Sequence, residues 1–270
     1  MRAVAAALLA ATCWVVTAGC GADGAPDPDL HGTLQRSTLF ATHRSLRLTV
    51  RSDGDDDVRI GAIQLGSPLF EVVPPQHRDA VVPAGGRVVM PLRFGAARCD
   101  ATGEGPAELI TDVDGEDVRV ALDESPAEVL ATLQAAECAS EAVLADVELR
   151  LGDRWVRTAP RSATGHLELV QRRPGVTAAV EQLSGNVIFN VGTNDPGAPW
   201  VEVSDDRPSA SVEIVVDSSR CDPHALIEYK RTFILPALVR VGDAEPVRVD
   251  VEASGEAHRA LEDLLAACLD

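Results

Sequence analysis

Aromatic side chains are scarce in this chain: nine in 270 residues, with a single tyrosine and three tryptophans. Recognition of sugars or single-stranded nucleic acid by stacking needs aromatic platforms, and too few are present to build one. Lysine is nearly absent, Lys230 standing alone against 23 arginines. With Ala, Val, Gly and Asp abundant, that bias reflects a GC-rich genome, so a cluster of arginines is weak evidence of a site. Positive charge as a whole is short, and the formal net charge is −18. Such a surface repels phosphate backbones, which excludes nucleic acid as a partner and argues against wide electrostatic contact with anionic lipid.

Chemical signatures are missing too. No C-x-x-C, H-E-x-x-H or G-x-S-x-G occurs, and no Gly-rich phosphate loop. The six histidines, at 31, 43, 77, 166, 224 and 258, form no ligand pair in sequence. Ser218-Ser219 lies near His224, but nothing in the sequence supplies the base-and-orienter arrangement of a nucleophilic triad. Asp53-Gly54-Asp55-Asp56-Asp57 invites a calcium reading, yet an EF-hand loop needs glycine at its sixth position and glutamate at its twelfth, where Gln64 stands. The acidic stretch reads as a hairpin turn. No metal, cofactor or catalytic residue is expected.

What is present is a repetition. Arg98-Cys99-Asp100 recurs as Arg220-Cys221-Asp222. A Val-Arg-Val strand follows each copy, at 118–120 and at 247–249, and a helical stretch then leads to Cys138 or Cys268. Val118 to Cys138 spans 20 positions and Val247 to Cys268 spans 21. Equivalent cysteines in equivalent modules should pair within each module, giving Cys99–Cys138 and Cys221–Cys268. Closing loops of this size contributes roughly 4 kcal/mol each in the chain-entropy description.

The strands declare themselves by period-2 alternation: Leu46-Arg47-Leu48-Thr49-Val50, Val147-Glu148-Leu149-Arg150-Leu151, Val212-Glu213-Ile214 and Val247-Arg248-Val249-Asp250-Val251. Turn residues separate them, as at Ala84-Gly85-Gly86, Arg173-Pro174-Gly175 and Val241-Gly242-Asp243. The repeat extends along the strands, residues 46–50 matching 167–171, 63–70 matching 182–189, and 87–94 matching 211–217. Ser125-Pro126-Ala127-Glu128 is a helix start, with an apolar stripe of Val129, Leu130, Leu133 and Ala136. Ala257, Leu261, Leu264, Leu265 and Cys268 share a face of the second helix.

The front end resembles a bacterial lipoprotein signal of the actinobacterial, GC-rich type. Arg2 precedes an apolar stretch over 3–16, shorter than the ~20 residues of a bilayer span, and Thr17-Ala18-Gly19-Cys20 is similar to a lipobox, with Thr17 where Leu, Val or Ile is preferred. The resemblance implies lipid attachment at Cys20, a signal peptide over 1–19, and location at the cell membrane facing outside the cytoplasm. Cleavage near Ala18 or Ala22 would instead release a secreted chain. Residues 20–32 read as a flexible tether. An exported chain with four remaining cysteines suits disulfides.

The alternating strand, acidic turn and Val82-Pro83-Ala84-Gly85-Gly86 segment resemble bacterial immunoglobulin-like repeats, including those of the abnormal-spindle/Hydin sort, over about 44–122. The expected fold is mostly β: two tandem Ig-like antiparallel β-sandwich modules, over 33–142 and 143–270, each closed by a short C-terminal helix tied by a disulfide. The resemblance implies spacers or binding units.

The copies differ in one useful way. From the first cysteine to the Val-Arg-Val strand is 19 positions in the first module and 26 in the second. The excess falls in 224–241, expected as an extended hairpin. It carries Tyr229, Lys230, Arg231 and Phe233, residue types favoured at interfaces, and is a candidate partner patch. Longer core strands with a basic tip are the alternative account. The functional expectation is a non-enzymatic, lipid-anchored envelope protein acting as an interaction or spacer module with an envelope protein partner. The alternative is a solute carrier with a ligand between the modules.

Overall fold

A computed structural model describes residues 29–36, 44–101, 107–113, 115–123, 126–194, 197–218, 221, 222, 224, 229 and 231–268. The expected signal peptide, Cys20 and most of the tether lie outside these residues, as do Lys230 and Ser219. The first strand, β1 (Leu30–Gln35), starts inside the stretch expected as tether. It is followed by β2 (Ser45–Ser52), β3 (Val58–Gly66), β4 (Gln76–Val82), β5 (Arg87–Arg93), β6 (Glu108–Val113), β7 (Glu116–Asp123) and helix α1 (Pro126–Asp146). The second module has β8 (Val147–Leu151), β9 (Val156–Ala159), β10 (Ser162–Gln171), β11 (Ala178–Leu183), β12 (Phe189–Thr193) and β13 (Val201–Val203). It ends with β14 (Ser209–Ser218), β15 (Ile234–Val241), β16 (Val247–Glu252) and helix α2 (Gly255–Ala266).

The two modules share one pairing scheme. In the first, β1-β2-β5 and β4-β3-β6-β7 are the neighbouring runs; in the second, β8-β10-β14 and β13-β11-β15-β16 are. The residues matched in sequence therefore sit on matching strands, β2 with β10, β5 with β14 and β7 with β16. The second copy adds β9 and β12 at its sheet edges, and one contact is found in the first copy alone. β7 pairs with β1 in parallel, His31 opposite Ala121 and Thr33 opposite Asp123, which joins the first module into one seven-stranded sheet. The second keeps separate sheets of five and four strands.

Alternation builds each core. On β2, Leu46, Leu48 and Val50 point inward with Met90 and Leu92 of β5, against Ile60, Ile63 and Leu65 of β3 and Leu109 of β6. In the second module, Leu167 and Leu169 of β10 and Ile214 and Val216 of β14 meet Leu235, Ala237 and Val239 of β15. Each such Leu, fully buried, stabilises by roughly 1.5–3 kcal/mol relative to exposure. Turns fall at the expected glycines, with φ of +59° at Gly85 and +58° at Gly242, where only glycine is unstrained.

The free edges of β4 and β5 are bridged by side chains. Gln76 donates through Nε2 to the Arg93 carbonyl at 2.8 Å and accepts from the Arg93 N–H at 2.9 Å, imitating a ladder pair. Arg78 donates to the Pro91 carbonyl from Nε and Nη2. Unpaired strand edges invite association with other chains, and these two side chains occupy the groups concerned.

The helices differ from one another. α2 has 12 residues and buries Ala257, Leu261 and Leu264 in the second core, as its stripe predicts. α1 does not stop at Cys138. It runs 21 residues and crosses the expected boundary at 142/143. Leu130 belongs to the first core and Val143 to the second. Thirteen positions at ~100° each leave these side chains roughly 140° apart around the axis, so each module takes a different face.

Disulfides join Cys99 to Cys138 and Cys221 to Cys268, with Cα–Cα distances of 5.5 and 4.9 Å. Around Cys138, Gln134 donates to the Arg98 and Ala101 carbonyls, while Glu137 accepts from Arg44 Nε and the Ala97 N–H. Paired cysteines of this kind belong to an oxidising, extracytoplasmic compartment. Among the described residues no helix is long and apolar enough to cross a membrane.

Candidate functional site

A half-open groove of about 510 Å³ lies on the outer face of the β11-β15-β16 sheet. Its position follows from strand alternation. β15 sends Leu235, Ala237 and Val239 into the core, which leaves Pro236 and Leu238 facing outward. β16 pairs antiparallel with it, placing Arg248 opposite Leu238 and Asp250 opposite Pro236 on the same outer face. Tyr229 and Arg231, from the segment before β15, form one wall. Residues 184–187, between β11 and β12, form the other.

That second wall is fixed by one side chain. Asn186 Nδ2 donates to the Thr232 carbonyl at 2.7 Å and the Ile234 carbonyl at 3.1 Å. Its Oδ1 accepts from the Ile188 and Phe189 N–H groups at 2.9 and 3.0 Å. Gly185 is required beside it, because a Cβ there would lie 2.1 Å from the Phe189 carbonyl oxygen. The turn and the strand entry are thereby tied into one rigid rim.

The groove combines apolar and charged surface. Val187 and Leu238 are among the exposed large hydrophobic residues of the chain. Asp250 is shared between two guanidinium groups: Oδ2 pairs with Arg231, and Oδ1 lies 3.6 Å from Arg248 Nε. Two cations against one anion leave a local positive balance on a chain of net charge −18. Burial pushes the Tyr229 phenol above its ordinary value and Asp250 adds to that push, while Arg231 and Arg248 pull the other way. The phenol is thus a neutral hydroxyl at physiological pH, able to donate or accept.

The expected patch is brought together only in part. Tyr229 and Arg231 line the groove. Lys230 lies outside the described residues, as do 225–228. Phe233 turns the other way: its ring packs on His258 of α2, centroids 4.2 Å apart, and against the second core. Among the described residues of 224–241 the strand is β15, a core strand with one decorated outer face; the rest of the expected hairpin falls largely on 225–228 and 230, outside the described residues. Asn186, Arg248 and Asp250 had no local signal; strand pairing and a turn deliver them.

Elsewhere, His224 takes part in a local turn, its N–H donating to Asp222 Oδ1 at 2.9 Å. His258 pairs with Glu262 along α2 at 3.3 Å.

No family model matches this chain, and no curated protein matches it. Among solved structures, red sea bream transglutaminase aligns at 10% identity and TM-score 0.25, over 84% of this chain but only 31% of that enzyme. A protein of unknown function from Porphyromonas gingivalis W83 aligns at 13% identity and TM-score 0.21, over 84% of this chain and 99% of its own. The human OSCAR ligand-binding domain aligns at 11% identity and TM-score 0.19, over 84% and 97%. Likenesses this low carry no inference about function.

Proposed function

We propose that this chain is a non-enzymatic, lipid-anchored protein of the cell envelope, in which two disulfide-stapled sandwiches present an interaction surface, the groove of the second module. The observation that carries this reading is the groove itself: an outward sheet face on which Tyr229, Arg231 and Arg248 surround exposed Leu238 and Val187. Aromatic, arginine and apolar groups in that arrangement are the composition of protein contact sites. Small-molecule sites enclose most of their ligand. A half-open groove suits a segment of another protein better. Its place on one module's outer face speaks against a carrier whose ligand sits between modules. Anchoring rests on the lipobox-like Thr17-Ala18-Gly19-Cys20, and two acyl chains give stable attachment.

The test is affinity purification of the natively processed protein from membranes. Tyr229→Ala and Arg248→Ala should each deplete a specific co-purifying envelope protein at least tenfold while the unfolding temperature stays within about 2 °C. Arg59→Ala, on β3 of the first module, should retain it. Equal recovery with all three variants would contradict the assignment.

A further inference from the structure

We infer that the first module binds a divalent transition-metal ion of the zinc class through His31 Nε2 and the carboxylates of Asp29 and Asp53. Nothing in this assignment depends on the groove of the second module.

The ligands are distant in sequence and are gathered by strand pairing. His31 is the second residue of β1, which pairs antiparallel with β2 and in parallel with β7. Asp29 directly precedes β1. Asp53 follows β2, and its backbone N–H donates to the Asp29 carbonyl at 3.0 Å, which locks the two carboxylate-bearing residues side by side. The parallel β1–β7 pairing, absent from the second module, brings Asp123 at the end of β7 to the opposite side of the imidazole.

The distances fit an ion between the three groups. His31 Nε2 lies 3.1 Å from Asp29 Oδ1 and 3.6 Å from Asp53 Oδ2. All three donor atoms fall within 4.8 Å of one another. Tetrahedral zinc with bonds of about 2.0–2.2 Å separates its ligand atoms by roughly 3.3–3.6 Å. Small side-chain adjustments therefore convert this cluster into three legs of a tetrahedron. Asp29 and Asp53 are both exposed, so water completes the fourth position.

The surroundings orient the donors. Asp123 Oδ1 lies 3.4 Å from His31 Nδ1, a nitrogen sealed from solvent and without a hydrogen bond of its own. In the metal-free chain Nε2 is hydrogen-bonded to Asp29 Oδ1 at 3.1 Å. An ion taking the place of that proton would leave the remaining proton on Nδ1, facing the Asp123 carboxylate, the arrangement that accompanies metal-bound histidine. Arg51 takes Asp53 Oδ1 at 2.6 Å, which aims Oδ2 at the imidazole. One imidazole among carboxylates favours zinc and its neighbours over calcium, whose sites are all oxygen.

The test is calorimetric titration of zinc chloride into the full chain, purified without a histidine tag and stripped with chelator, with calcium chloride as the parallel arm. One zinc should bind per chain and raise the unfolding temperature. His31→Gln should weaken binding at least tenfold. Asp123→Asn, which touches no ligand position, should weaken it about 10–100-fold. Each variant's unfolding temperature in chelator separates lost binding from lost fold. No zinc bound by the wild-type chain overturns the assignment. So does zinc bound equally by a folded His31→Gln, or calcium bound as tightly as zinc.

Discussion

Asn186 makes four hydrogen bonds with one amide, two from Nδ2 and two to Oδ1. Each contributes about 0.5–1.5 kcal/mol net. Asn186→Ala should therefore destabilise the chain by about 3 kcal/mol, read as a shift in urea midpoint with unchanged slope. A loss under about 0.5 kcal/mol would mean that water replaces the amide and the groove wall is soft. Tyr229 offers a cleaner optical probe, because it is the only tyrosine. Burial raises its pKa above the ordinary ~10. The folded state then holds the phenolic proton more tightly than the unfolded chain does. Stability is full below pH ~10 and falls as pH rises from there through the folded value. Tyrosinate difference absorbance of the native protein should titrate at higher pH than that of the denatured chain. Coincident curves would place the phenol in free solvent.

At the scale of elements, α1 is the piece that sequence pattern described least well. Strands β2, β8, β14 and β16 follow from alternation, because each has one wet face and one core. A helix shared by two cores has no single apolar stripe. Leu130 and Val143 lie on different faces, so the periodic signal fades near Cys138, where the helix was expected to end. The consequence is testable. Leu130→Ala should cost about 2–5 kcal/mol and raise hydrogen exchange in β1, the first-module strand that α1 packs on. Val143→Ala, with less volume lost, should cost about 2 kcal/mol and act on β8 and β16. Identical exchange patterns would show that the helix does not divide its faces between modules. Cys99–Cys138 pins the middle of α1 to the first module, with Gln134 and Glu137 in the turn before it bonded to the same segment.

On the scale of the whole molecule, one pairing scheme is used twice, and both proposed sites sit where the copies depart from each other. One wall of the groove and its β15 floor come from the stretch by which the second module is longer. Asp123, which supports the His31 cluster, is brought there by the parallel β1–β7 contact that only the first module makes. The duplication was legible because cysteine, turn and strand landmarks recur at fixed intervals. Of the groove, Tyr229 and Arg231 stood out by composition. Arg248 and Asp250 did not, since alternating charge on a strand is ordinary, and register alone sets them beside Leu238. His31 gave no motif for the same reason, and Asp53 stood out only within an acidic run whose spacing fits no calcium loop.

The proposed function rests on export to an oxidising exterior, where the sulfurs close within modules, and on the proposed lipidation of Cys20. Non-reducing peptide mass spectrometry of the native protein tests this directly. The expected result is Cys99 linked to Cys138, Cys221 linked to Cys268, and an acylated Cys20 at the mature N-terminus. Free thiols at those four positions, bridges running between the modules, or an intact unmodified leader would contradict it.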